Sequence, residues 1–313
     1  MELRQLRYFV GIAEAGSLLK ASARLHIAQP ALGQQMAALE GELGAQLFVR
    51  SSRGMSLTEA GTAFLDHARI VLADVERARS VVKDSTAIPS GDVVIGLTNT
   101  IALAATVPIV LACRERLPQV RLRVVEAYSG HLREWLQSGR LDLAFLFGDA
   151  EDPALIKRPL LEEPLALVTD IRGPRLPARI SLARAIAHPL VLPSPEHGLR
   201  RIIDEACAAQ SLVPNVVAEI DSLPSVKRTV EAGLGFTILS LGSVAEEVEM
   251  GRMRAVTIND TRMLRRVVIA TSVTRPTTIA SRAVCDLACD VVKMKVQAGD
   301  WPGRWIGAER PKH

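Results

Sequence analysis

Residues 16–43, GSLLKASARLHIAQPALGQQMAALEGEL, hold two short helical patterns around a tight connection, and this limits what the front of the chain can become. The first runs from Ser17, a residue able to cap free backbone N–H groups, to Leu25. It sets Leu18, Ala21 and Leu25 on one face at helical spacing. The second begins at Gln29–Pro30, with proline where a first helical turn tolerates it. Leu32, Met36, Leu39 and Leu43 then recur as an inward stripe. The opposite face carries Gln29, Gly33, Gln34 and Ala37, which are small or carry amides. A helix with glutamines on its exposed first turns suits a DNA major groove, because a carboxamide bonds adenine N6 and N7 together.

The next residues extend the pattern. Gly44 ends the helix, LFVR (Leu47–Arg50) reads as a strand, SSRG as a turn and MSLT as a returning strand. Two helices followed by a two-stranded wing make a winged helix-turn-helix. Arg50 and Arg53, near the wing tip, are placed for phosphates or a minor groove. Upstream, Leu3, Leu6, Val10 and Ala13 give an amphipathic first helix. Bulk charge says little here: residues 1–60 hold six Lys/Arg against five Asp/Glu. The DNA-binding reading rests on placement.

The stretch LRYFVGIAEAGSLLKASARLHIAQPALGQQMAALEGELGAQLFVRSSRGMSLTEAG resembles the DNA-binding region of LysR-type transcriptional regulators, close to the nitrogen assimilation control subgroup. One departure is Gly33, where family members commonly carry serine, so that one hydroxyl contact to DNA is absent. The resemblance implies a DNA face formed by Ser17, Gln29, Pro30, Gly33, Gln34, Arg50 and Arg53. It also implies double-stranded promoter DNA, a small-molecule effector and further copies of the chain as partners, with RNA polymerase another candidate.

After the wing, Thr58 can cap a long helix reaching to about Asp84, with Glu59 at its positive end. Phe64, Ala68, Val71, Val75, Ala78 and Val82 follow heptad spacing, and the resemblance favours pairing of two such helices in a dimer. STAIPSGD (Ser85–Asp92) reads as a hinge. Beyond it, strands Val93–Leu97, Val120–Glu126 and Leu141–Phe147 alternate with helices Ala102–Leu117 and Ser129–Ser138, which implies a largely parallel sheet covered by helices. A second set follows: strands Leu165–Thr169, Leu190–Leu192, Asn215–Ile220 and Phe236–Leu239, with helices Leu199–Gln210, Ser222–Ala232 and Gly242–Met250. Strand Arg265–Thr271 and helix Thr277–Val296 then return. The tail AGDWPGRWIGAERPKH reads as turn-rich and loose, with no role for Trp301 or Trp305.

The expected fold class is therefore α/β: an N-terminal winged helix-turn-helix (1–58), a linker helix and hinge (59–88), and a two-lobed effector domain (89–313) like that of periplasmic binding proteins. Lobe I is expected over 91–163 and 267–297, and lobe II over 164–266. SGRLDLAFLFG and EAGLGFTILS are typical of the family's effector domain. Ligands in such folds sit outside the carboxyl ends of strands, between the lobes. The turns there contribute Asn99, Thr100, Ser129, Gly130, Phe147 and Gly148, with Ser194 from lobe II. Helix N-termini behind the first two turns favour an anion.

Other functions lack their residues. The six histidines are scattered, no HExxH, Walker or GxGxxG motif appears, and the four cysteines form no zinc or disulfide pattern. Cys285 and Cys289, four apart, read as small apolar residues facing a core. No enzyme, cofactor or metal is expected. The uncharged run Val93–Cys113 is broken by Gly96, Thr98–Asn99–Thr100 and Pro108, so it reads as strand, turn and helix and no membrane span is expected. With no secretory signal, a cytoplasmic homodimer or homotetramer is expected. The alternative to an effector-tuned regulator is an effector-independent one with a vestigial pocket.

Overall fold

Phe9, Ile12, Ala21, Leu32 and Leu39 are wholly removed from solvent, and the N-terminal unit is built around them. In the computed structural model, which describes residues 1–51, 54–82, 88–148, 151–275 and 277–308, the chain forms two compact units, a helical N-terminal one and a larger α/β one. The first holds α1 (Leu3–Ala15), α2 (Leu18–Leu25), α3 (Gln29–Leu43), β1 (Phe48–Ser51), β2 (Gly54–Leu57) and α4 (Glu59–Val82).

The inward side of α1 is Leu6, Phe9 and Ile12, because α2, α3 and α4 all pack on that side. Leu3 is exposed and Val10 and Ala13 are half-buried, contrary to the expected stripe. On α3, Leu32, Met36 and Leu39 are buried as expected, but Leu43 is exposed in the last turn, just before Gly44 ends the helix in the left-handed conformation. Phe9 contacts Phe48 at 5.2 Å and Phe64 at 5.0 Å between ring centroids, which fastens the wing and α4 onto one core.

Thr58 caps α4, its Oγ1 accepting from Gly61 N at 2.8 Å. Phe64 and Ala68, the start of the heptad pattern, are consumed by the core of their own unit. Val71 and Ala78 further along are exposed. An outward apolar face therefore begins at Val71, about two turns later than the spacing alone implies. The hinge sequence lies partly outside the described residues.

In the second unit, β3 (Gly91–Leu97) is flanked in parallel by β4 (Val120–Glu126) and β5 (Leu143–Phe147), through α5 (Asn99–Arg116) and α6 (Ser129–Ser138). The apolar run of these strands serves two cores, as expected for strands buried on both faces. Val93, Ile95, Leu97, Leu143 and Phe145 face α5 and α11 (Ile279–Ala298). Ala144 and Leu146 face α6 through Leu132 and Leu136. At Gly96 a Cβ would fall 2.6 Å from Leu141 and 2.7 Å from Leu132, so glycine is what lets α6 approach the sheet.

The lobes are joined by two long strands. β6 (Leu155–Asp170) is one continuous 16-residue strand where the sequence pattern indicates only Leu165–Thr169. It pairs antiparallel with β11 (Leu264–Ser272) over its first part. Its second part pairs with β9 (Thr237–Ser240) and β10 (Met253–Thr257), the latter a strand absent from the sequence expectation. Lobe II adds α7 (Leu182–Ile186), β7 (Leu190–Leu192), α8 (Gly198–Ala208), β8 (Val216–Glu219) and α9 (Leu223–Glu231) around a core that includes Leu167, Leu190, Ile203, Val230 and Ile238. The expected helix over 242–250 is a 3-10 turn, Leu241–Val244, followed by α10 (Ala245–Glu249).

The tail is not loose. The pairing of β6 with β11 shifts register between Val267 and Val268, leaving Leu160 as the extra residue of a bulge. Its carbonyl accepts from Ile306 N at 2.8 Å and Gly307 N at 3.1 Å. β12 (Arg304–Trp305) pairs with Leu161 and Glu162. Trp301 is only 2% exposed and donates its indole N–H to Glu163 Oε2 at 3.0 Å. Residues 309–313 lie outside the described part. Among the described residues no helix is long and apolar enough to cross a membrane. Trp301→Ala should destabilise the second unit by about 3–5 kcal/mol, as an aromatic deletion from a core does. Urea unfolding followed by circular dichroism measures this, and a loss below about 1 kcal/mol would show that the tail is only draped over the lobe.

Candidate nucleic-acid interface and ligand cleft

In the N-terminal unit, Gln29 and Pro30 open α3 and are exposed, Gln34 is exposed one turn on, and Gly33 is half-buried between them. A Cβ on Gly33 would meet only Leu18 Cδ2, at an ordinary 3.7 Å, so no crowding requires glycine there. Ser17 occupies the N-cap position of α2 with extended backbone, but its side chain makes no capping bond. Its hydroxyl is thereby left for other work. The turn between the helices closes at His26, which takes φ +56° at the end of α2.

The wing is fixed against the turn that precedes α2. Met55 N donates to Gly16 O at 2.9 Å, and a Cβ on Gly54 (φ +123°) would fall 2.5 Å from that same oxygen. Glu40 of α3 accepts from Leu47 N at 2.7 Å and Phe48 N at 3.2 Å, which anchors the first wing strand to the second helix. Arg50 stands on β1 opposite Met55, its side chain outside the described part. Arg53 lies outside the described residues. The helix with its glutamines and the wing thus belong to one rigid frame, the layout in which a helix enters a groove and a ribbon tracks the backbone beside it.

In the second unit β3, β4 and β5 run parallel, so their carboxyl ends lie along one edge of the sheet. β3 leads through Thr98 into α5, whose first residues are Asn99 and Thr100. β4 leads through Tyr128 into α6, which begins at Ser129 and Gly130. β5 ends at Phe147, followed by Gly148 at φ +84°. From lobe II, Ser194 follows β7, but its N–H and its hydroxyl both donate to Asp221 Oδ1, at 2.9 and 2.8 Å. These two donors, the backbone one first, hold the Asp221 carboxyl below its usual range.

Three further side chains, Tyr128, His197 and Arg265, stand around these strand ends. Tyr128 Oη donates across the lobes to the Asp221 carbonyl at 3.3 Å, and its ring meets His197 edge-on at 5.4 Å. Burial pushes the His197 pKa down, with Asp221 opposing and Arg265 and Arg201 adding to the shift. Its Nδ1 accepts from Leu199 N at 3.1 Å, so the neutral ring carries its proton on Nε2 and is a donor there. Arg265 of β11, 2% exposed, lies over the Phe147 ring at 4.0 Å. It donates to Glu163 and, at 2.7 Å, to Ser240 Oγ. The sequence held one signal for Tyr128, its place in a strand-end turn. Arg265 could not be found that way, because it sits inside a strand.

Three buried polar atoms here, Thr98 Oγ1, Thr100 Oγ1 and Arg265 Nε, have no hydrogen-bond partner among the described residues. Buried polar groups are normally satisfied, and two of these three belong to the first turn of α5, where backbone N–H groups are also free.

The chain matches the family "Bacterial regulatory helix-turn-helix protein, lysR family" over residues 3–62 and "LysR substrate binding domain" over residues 87–292. It is 37% identical over 240 residues to the nitrogen assimilation regulatory protein nac of Klebsiella aerogenes, covering 76% of this chain and 78% of that one. It is 32% identical over 302 residues to the HTH-type transcriptional regulator BbuR of Bordetella bronchiseptica, covering 95% and 92%. Among solved structures, a mutant of OxyR from Corynebacterium glutamicum superimposes with a TM-score of 0.66 at 26% identity, covering 95% of this chain and 94% of that one. With a winged helix-turn-helix, a long helix and a two-lobed substrate-binding domain in one chain, this protein belongs to the LysR family of DNA-binding transcriptional regulators.

Proposed function

We propose that this regulator's promoter binding is tuned by a small anion held between the lobes of its effector domain. One observation carries the reading: the hydroxyls of Thr98 and Thr100 are buried without partners on the first turn of α5. Hydroxyls beside free helix N–H groups suit a carboxylate or similar oxyanion, which accepts from both. Asn99, Ser129 and Gly130 extend the donor set from lobe I, with Phe147 and Gly148 at its edge, while Ser194 and the His197 Nε2–H close it from lobe II. Arg265 supplies cationic character, and Tyr128 already bridges the lobes. A ligand gripping both sides favours one angle between them and shifts DNA binding only by its differential affinity for the two arrangements.

Base reading is assigned to Gln29 and Gln34, with Ser17, Pro30, Gly33, Arg50 and Arg53 along the backbone of the DNA. The full regulator is a homotetramer in this reading. α5 is apolar on two sides: Ile101, Ala105 and Ile109 face the core while Leu103, Val107, Val110 and Leu111 are exposed. A helix apolar all round calls for a cover, and β4 beside it is the edge strand of its sheet. The exposed Val71 and Ala78 of α4 supply the second contact.

Three outcomes follow. Gln34→Ala should cost about 1–3 kcal/mol at a cognate promoter and little on random DNA, measured by titration at fixed salt; equal losses on both would remove its base-reading role. Val107→Asp should split the tetramer into dimers in sedimentation while Val71→Asp splits it along the other contact; an assembly unchanged by both variants refutes these surfaces. A screen of small carboxylates and phosphates by thermal shift should yield a ligand stabilising by about 2.7 kcal/mol at 100 times its dissociation constant. Thr100→Val should weaken that ligand while leaving ligand-free DNA affinity intact. If no anion binds, or if Thr100→Val and Ser129→Ala both leave it bound, the effector-independent reading replaces this one.

A further inference from the structure

Helix α11 carries Cys285 and Cys289 one turn apart, and the expectation that they are merely small apolar residues describes only part of their surroundings. Cys289 is buried and Cys285 half-buried at the edge of the lobe I core. Both sulfurs also meet a guanidinium. Arg158 of β6 donates through Nη2 to Cys289 Sγ at short range and stands 3.9 Å from Cys285 Sγ. Its Nη1 lies 3.6 Å from Asp286 Oδ1, with the arginine side chain 41% exposed. The sulfurs therefore sit beneath a cation that itself touches solvent.

The cysteines elsewhere behave differently. Burial pushes the thiols of Cys113 and Cys207 up, so they stay protonated. At Cys289 the thiol is pulled down, first by a hydrogen bond from the Cys285 thiol and then by Arg158, against the cost of burial. Cys285 is pushed up by its interaction with Cys289 and by burial. A sulfur that accepts from a guanidinium N–H is in an environment that favours a thiolate.

Two other uses of the pair fit less well. A soft metal ion would have to displace Arg158 from the sulfurs, and no cluster of three or more metal-binding side chains exists among the described residues. A disulfide requires Cβ atoms about 3.5–4.5 Å apart, whereas residues one turn apart on a helix hold them at about 5–6 Å. While α11 is intact, Cys285 and Cys289 therefore do not close a bond with each other.

We propose that Cys289 is a nucleophilic thiolate and a site of covalent modification by small uncharged electrophiles, with Arg158 and Cys285 as its activating partners. Hydrogen peroxide is the smallest such reagent. The sulfur attacks one peroxide oxygen, the O–O bond breaks, and the other oxygen leaves as hydroxide and takes a proton from solvent. Sulfur is oxidised by two electrons to a sulfenic acid and the peroxide is reduced to water. The product stays next to Arg158, which can donate to its oxygen.

The test uses the full-length protein at pH 7, pulsed briefly with iodoacetamide or with hydrogen peroxide plus dimedone and mapped by peptide mass spectrometry. Cys289 should be modified ahead of Cys113, Cys207 and Cys285, and about tenfold faster than in the urea-unfolded chain. Arg158→Met should slow it about tenfold at an unchanged melting temperature, and Cys285→Ala should slow it as well. Modification of Cys289 no faster than in the unfolded chain, or falling first on another cysteine, overturns the proposal without reference to any variant. So does an unchanged rate in folded Arg158→Met.

Discussion

The two-lobed unit depends on a buried ion pair, Arg265 with Glu163, placed on the two strands that cross from one lobe to the other. Both side chains are almost wholly removed from water. Such a pair gains little over apolar packing, yet removing one partner costs about 3–5 kcal/mol because a bare charge is left behind. Its value lies in what it holds together. Glu163 also accepts from Trp301, Arg265 also donates to Ser240 of lobe II, and the guanidinium lies on Phe147 at the end of a lobe I strand. One network thus ties lobe I, lobe II and the C-terminal tail at the crossing. The Nε of Arg265 is buried and has no partner among the described residues.

The N-terminal unit follows a different logic. Its helices are short and its core is local, with Phe9 meeting Phe48 and Phe64 so that the wing and the long helix share one centre. Two polar fixings set the recognition geometry: Glu40 holds the entry to β1, and Gly54 presses the wing onto the Gly16 carbonyl. Neither touches the exposed face of α3. That face can therefore vary in its side chains, as with Gly33, without disturbing the frame.

Much of this was legible in the sequence because it depends on neighbours within a turn or a strand. The limits of α3, the cap at Thr58, the alternation of strands and helices in lobe I and the strand-end turns at Thr100, Ser129 and Phe147 all follow from local spacing. The failures share a cause. Leu43 is exposed and Phe64 joins the core of its own unit, because spacing tells which residues share a face but not what covers it. The sequence pattern shows only the second part of β6, whose first part contains Pro159 and Pro164. Here Pro164 stands opposite Leu264 and Pro159 adjoins a bulge, where a missing N–H is tolerated.

By itself the sequence determined the winged helix-turn-helix and the alternating α/β pattern, since periodicity and capping act over a few residues, while its resemblance to known regulators pointed to the family. Only the tertiary structure decided that Trp301 is a core residue, that Tyr128 meets His197, that Arg265 lies over Phe147, and that Arg158 meets Cys289. Each of these joins residues from 69 to 138 positions apart, as between Tyr128 and His197 or Glu163 and Trp301. No local pattern records such a meeting, because it is the packing of whole strands and lobes that brings the side chains together.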